Sequence, residues 1–130
     1  MHILGQPFKP TPARYVRADV QLLLKWYDEH KGALHPFTLA VLFHHKFEST
    51  HPFSEGNGRT GRMLMNHILL LHTYPLVVVN RKDRKDYLDA MNAADKAIKK
   101  SLIALSPEYE ELLHFMILQL QQSYWDVFFF

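Results

Sequence analysis

Residues His51 to Arg62 read HPFSEGNGRTGR, and the reading of this stretch decides the reading of the chain. It places a histidine, a carboxylate, an asparagine between two glycines and two arginines close together. Such a segment buries little apolar surface, and glycine weakens helix and strand alike. Stability does not account for it, so chemistry must. Gly56-Asn57-Gly58 stands directly before a strong helical pattern. Glycine permits backbone angles that turn successive N–H groups toward one point, which makes an anion-binding nest. The helix start behind it adds N–H donors and the positive end of the helix dipole. Asn57 adds an amide donor and tolerates a left-handed conformation.

Arg59 and Arg62 are three apart on the new helix and so share a face. Guanidinium groups match phosphate oxygens with paired donors, so the set suits a di- or triphosphate. Glu55 beside an anion site either holds Mg²⁺ against phosphate oxygens or pairs with Arg59 or Arg62. His51 titrates near neutrality and can accept a proton from a hydroxyl. The remaining histidines form no convincing metal set: His44 and His45 point to different faces, and His67 and His72 are a poor helical pair. They read as core or surface residues.

Outward from the motif, the pattern is helical on both sides. Helices are predicted over 12–30, 36–50, 58–72, 83–99 and 106–124, which makes an all-α domain spanning 1–130. Thr11-Pro12 and Ser106-Pro107 resemble cap-plus-proline starts, Lys31-Gly32 ends the first helix, and Tyr74-Pro75 breaks the third. Met63, Leu64, Ile68 and Leu71 lie on the third helix with apolar neighbours almost all round, so it is expected to be the central core helix. Residues 1–10 read as extended chain or part of a hairpin. Phe128 to Phe130 are expected to pack on the bundle.

Composition sets the class. The chain has 130 residues, 48% hydrophobic and 22% charged, with no cysteine, which excludes disulfides, thiol catalysis and cysteine-held zinc. No apolar run approaches a membrane span, and the start lacks the regions of a signal peptide, so the expected place is the cytoplasm without a membrane partner. A net charge of +2 is too small to imply nucleic acid.

HPFSEGNGRTGR resembles the signature of the Fic family, H-P-F-x-[D/E]-G-N-G-R-x-x-R, with every specified position filled. RMLMNHILL, the Tyr74-Pro75 break and RKDYLDAMNAAD add to the likeness. The resemblance implies a Fic-type helical bundle and transfer of AMP from ATP to a Ser, Thr or Tyr hydroxyl of a target protein. It implies that His51 deprotonates the hydroxyl and that Glu55 holds Mg²⁺ on the α- and β-phosphates. Gly56, Asn57 and Gly58 would form the anion hole, and Arg59 and Arg62 would hold the outer phosphates. Tyr87 either borders the adenine pocket or is a core tyrosine.

Met1–Pro10 looks like the second half of the family's β-hairpin flap, where the target protein would dock by strand addition. An inhibitory helix is not found, so inhibition would come from an upstream segment or an antitoxin-like partner. Two other readings stay open: removal of AMP from modified proteins by the same site, and a non-catalytic nucleotide-binding or toxin–antitoxin module.

Overall fold

Lys46 carries a charge and stands in a run of polar residues, yet its side chain has no exposure. It belongs to the helix around which the fold is organised. The computed structural model describes residues 16–50, 55–100 and 107–128, except the side chains of 97–100 and 127–128. Over these residues the chain forms α1 (Val16–His30), α2 (Pro36–Thr50), α3 (Asn57–Leu71), α4 (Arg84–Lys100) and α5 (Glu110–Phe128). Short 3₁₀ turns at Arg81–Asp83 and Pro107–Tyr109 lead into α4 and α5. The fold is all-α, with no strand among the described residues. The flap expected at Met1–Pro10, the start of the first helix, His51, Ser106 and the terminal phenylalanine side chains lie outside the described residues.

The central helix is α2, not α3. From Leu39 to Thr50 every α2 side chain is buried, and α2 packs against α1, α3, α4 and α5. In α3, by contrast, Met63, Leu70 and Leu71 are 65%, 56% and 60% exposed. Its buried face is narrow: Asn57, Gly61, Met65, Ile68 and Leu69. The physical reason lies at Gly61. A Cβ there would sit 3.1 Å from Glu48 Cγ, 3.2 Å from His44 Nδ1 and 3.4 Å from Phe47 Cδ1. The absent side chain lets α3 lie close on α2 along one edge, leaving its other apolar residues outside. Each fully buried apolar side chain of this core, such as Leu39 or Met65, stabilises the fold by roughly 1.5–3 kcal/mol.

Buried polar groups on α2 persist only if they are paired. Ser49 and Thr50 turn their hydroxyls back onto the carbonyls of His45 and Lys46, each at 3.0 Å. His45 donates from Nε2 to Asp95 on α4 at 2.9 Å and accepts from the Tyr109 hydroxyl at Nδ1, 3.1 Å away. Lys46 donates to the same hydroxyl at 3.3 Å and lies 5.1 Å from the Trp26 ring centroid and 5.0 Å from that of Tyr109. Burial lowers the Lys46 ammonium to about 8. Burial likewise lowers the His45 imidazole, although Asp95 opposes the shift. This network ties α2 to α1, α4 and the turn before α5.

The end of α3 is built as a Schellman motif, in which the chain reverses through a left-handed residue. Tyr74 N–H donates to Leu69 O at 2.9 Å and Thr73 N–H to Leu70 O at 3.0 Å. The left-handed position is taken by Thr73, at φ 65°, where glycine is the usual occupant. A β-branched residue there is strained. Thr73→Gly is expected to stabilise the protein by about 0.5–1 kcal/mol, the relieved strain less the added chain entropy. Chemical denaturation reads it, and an unchanged or lower midpoint contradicts it.

After the reversal, Tyr74 meets His35 through a 2.8 Å hydrogen bond, and the chain runs back along α3. Asn66 holds it by both amide atoms, donating to Val77 O at 3.1 Å and accepting from Val77 N–H at 2.9 Å. Asn66 lies one helical turn beyond Arg62. Two extended residues past Val77 cover about one helical pitch, which brings Val79 and Asn80 level with Arg62.

Candidate active site

Gly56 begins the site. It is left-handed, at φ 79° and ψ 13°, and α3 starts after it without a side-chain cap. Its carbonyl accepts the first helical bond, from Thr60 N–H at 2.9 Å. The N–H groups of a first helical turn have no partner within the helix. The chain therefore presents donors at the positive end of α3, through a turn that glycine enters at no steric cost. Asn57 is buried, Glu55 and Arg59 are exposed, and Gly58 and Arg62 are half-buried.

Arg62 is held from behind. A Cβ on Gly58 would lie 3.2 Å from Arg62 Nη1 and 3.2 Å from Glu48 Oε1, so guanidinium and carboxylate crowd the same glycine. Glu48 is buried on α2. Its Oε2 accepts from the Tyr87 hydroxyl at 2.9 Å and from His44 Nε2 at 2.9 Å. The Tyr87 oxygen lies 2.8 Å from the same His44 nitrogen, so the three groups form a closed triangle. The Arg62 charge acts on this triangle, lowering the Glu48 carboxyl and opposing the upward push on the Tyr87 hydroxyl.

The electrostatics follow from burial and charge. Burial pushes the Glu48 carboxyl up, but His44, Tyr87 and Arg62 outweigh it and hold the group below its ordinary value of 4.5. Burial and the facing Glu48 push the Tyr87 hydroxyl well above its usual range, so it stays a donor. Because the folded carboxyl is depressed, its stabilisation is fully present above 4.5 and is lost as pH falls through the lower folded value. Glu48→Gln is expected to cost roughly 1–3 kcal/mol at neutral pH, with the gap from wild type closing in acid. Denaturation curves across pH measure it. A gap that stays constant with pH contradicts the assignment.

Of the residues singled out in the sequence, Glu55, Gly56, Asn57, Gly58, Arg59 and Arg62 come together at the start of α3. His51 lies outside the described residues. Tyr87 is 4% exposed, its hydroxyl is committed to Glu48, and it lines a cleft with Arg62, Arg81 and Arg84. These surroundings suit support of the arginine end of the site better than the edge of a base pocket. Glu48 and His44 were missed. Their only sequence signal is a Glu and a His four apart on a helix with apolar residues on every side.

Glu55 is expected from the sequence to hold Mg²⁺, and the donor set can be tested against that expectation. No group of three or more His, Asp or Glu side chains among the described residues could hold a metal unaided. One exposed carboxylate, Glu55, stands beside the phosphate donors. That fits a Mg²⁺ that arrives with a nucleotide and takes most of its ligands from phosphate and water. Among the described residues no helix is long and apolar enough to cross a membrane.

A left-handed glycine, an uncapped helix start and an arginine set close against Gly58 stand together on an all-α frame. The sequence model of the Fic/DOC family matches residues 5–69, half of the chain, and the chain belongs to that family. It is 47% identical over 62 residues to a protein adenylyltransferase Fic of Nematostella vectensis. It is 37% identical over 83 residues to the protein of that name in Drosophila sechellia. These matches cover 48% and 60% of the chain but only 14% and 17% of the relatives' own length. A Fic domain containing signalling protein from Bacteroides thetaiotaomicron shares the fold at a TM-score of 0.82 and 28% identity. That match covers 89% of this chain and 46% of the other.

Proposed function

We propose that the chain is the catalytic unit of a protein adenylyltransferase, moving AMP from ATP to a Ser, Thr or Tyr hydroxyl of a target protein. The observation that carries the reading is the left-handed Gly56 at the head of α3, with the Arg62 guanidinium close against Gly58. It is supported by the filled motif and by the names of the relatives.

In the reaction, the target hydroxyl oxygen attacks the α-phosphorus and the bond to the β-phosphate bridging oxygen breaks. Pyrophosphate leaves and the hydroxyl proton passes to His51. The N–H groups of Gly56 to Gly58 face the charge that develops on the phosphate oxygens, while Arg59 and Arg62 restrain the outer phosphates. Glu55 would hold Mg²⁺, which neutralises phosphate charge when bound. Glu48, His44 and Tyr87 act through Arg62, keeping its guanidinium in one orientation. The target docks beside Met1–Pro10, and an upstream segment or antitoxin-like partner restrains the enzyme. The protein acts in the cytoplasm.

The test is mass spectrometry of the purified protein and of a cell lysate after incubation with ATP and Mg²⁺. AMP on Ser, Thr or Tyr is expected. Nucleotide binding in calorimetry with no adduct under any condition would leave a binding module instead.

A further inference from the structure

We propose that Arg81 and Arg84 join Arg62 in a subsite for the terminal phosphates of a nucleoside triphosphate, the part that leaves as pyrophosphate. The inference rests on the nucleotide-transfer reading and extends it beyond the motif. A cavity of about 240 Å³ opens beside Arg62, lined by Arg62, Val79, Asn80, Arg81, Arg84 and Tyr87. That is many times the ~10–15 Å³ that one water needs. No carboxylate lines it.

The arginines meet there for structural reasons. Arg81 begins a 3₁₀ turn and Arg84 begins α4. In a 3₁₀ turn, residues three apart eclipse one another, so the two side chains rise on one side. The segment is fixed from behind. Gln119 accepts from Asn80 N–H at 3.3 Å and from its side-chain amide at 3.4 Å, and Val78 N–H donates to Ser123 at 3.3 Å. Asn66 pins Val77 to α3 one turn past Arg62.

The charge is unbalanced within the protein. Asp83, the acid between the arginines, accepts instead from the Gln119 amide at 3.1 Å. Asp86 is exposed and is not part of the lining. Among the described residues no carboxylate lies within ion-pair distance of Arg81 or Arg84. Arg81 and Arg84 are exposed and Arg62 is half-buried, so three cations line one open cleft, and the start of α4 adds its positive dipole end. Because Arg62 forms one wall, a phosphate chain leaving the nest at Gly56–Gly58 enters the cleft at its end. The chemistry selects a polyphosphate tail and gives no hold on a nucleoside or its first phosphate.

Calorimetry with Mg²⁺-ATP, AMP and inorganic pyrophosphate, on wild type and on an Arg81→Gln/Arg84→Gln double variant, tests this. The double variant is expected to lose roughly tenfold to a hundredfold in affinity for ATP and pyrophosphate, with AMP binding unchanged. In transfer assays KM for ATP rises more than kcat falls. Equal ATP affinity in both proteins overturns the subsite, as does an equal loss for AMP, or a wild type that binds neither ATP nor pyrophosphate. Pyrophosphate binding that depends on both arginines, in a protein that transfers no AMP, keeps the subsite and refutes the transfer reading.

Discussion

His51→Ala is expected to slow AMP transfer by about 10²–10⁴-fold while leaving ATP affinity within a factor of two or so. The groups proposed to hold phosphate sit on α3 and its leading turn, and the Glu48–Tyr87 pair beside Arg62 comes from α2 and α4. None of them is His51. An imidazole that takes the hydroxyl proton matters as the new bond forms and contributes nothing to holding the triphosphate. The rate should therefore collapse without a change in binding, which labelling and calorimetry on the same preparation separate. A variant that binds ATP tenfold worse and transfers at the wild-type rate when saturated would assign His51 to binding.

Gly61→Val is expected to destabilise the fold by roughly 1–3 kcal/mol and to depress activity with it. A lone Cβ already comes within 3.1–3.4 Å of Glu48, His44 and Phe47. Two further methyl groups must push α3 off α2 or turn the polar pair aside. Either movement breaks the triangle that holds Tyr87 and Arg62, so stability and nucleotide affinity fall together. Thermal or denaturant unfolding gives the first quantity and ATP calorimetry the second. Unchanged stability would show that the two helices have room to spare, against the geometry at Gly61.

How much of this was legible in the sequence follows from what local chemistry records. Pro36 opening α2 was readable because prolines and glycines restrict or free the backbone where they stand, whereas α3 ends at Leu71 through the left-handed Thr73, ahead of the Tyr74-Pro75 break. The Gly56-Asn57-Gly58 turn was readable for the same reason. The rank of the helices was not. A pattern of apolar residues made α3 look central, because a pattern counts side chains and not their partners. His45 is inside because Asp95 and Tyr109 meet it, 50 and 64 residues away. Glu48 is inside because Tyr87, 39 residues on, donates to it. The support of Arg62 stayed hidden for that reason, as did the approach of Arg81 and Arg84 to it.

In the proposed reaction the α-phosphate of ATP is the point of attack. Paired incubations of the wild-type protein with α-labelled and γ-labelled ATP, with Mg²⁺ and a cell lysate, test it most directly. Label retained on protein from α-labelled ATP and absent from γ-labelled ATP is the predicted result. Protein labelled from the γ-phosphate, with none from the α-phosphate, would contradict it.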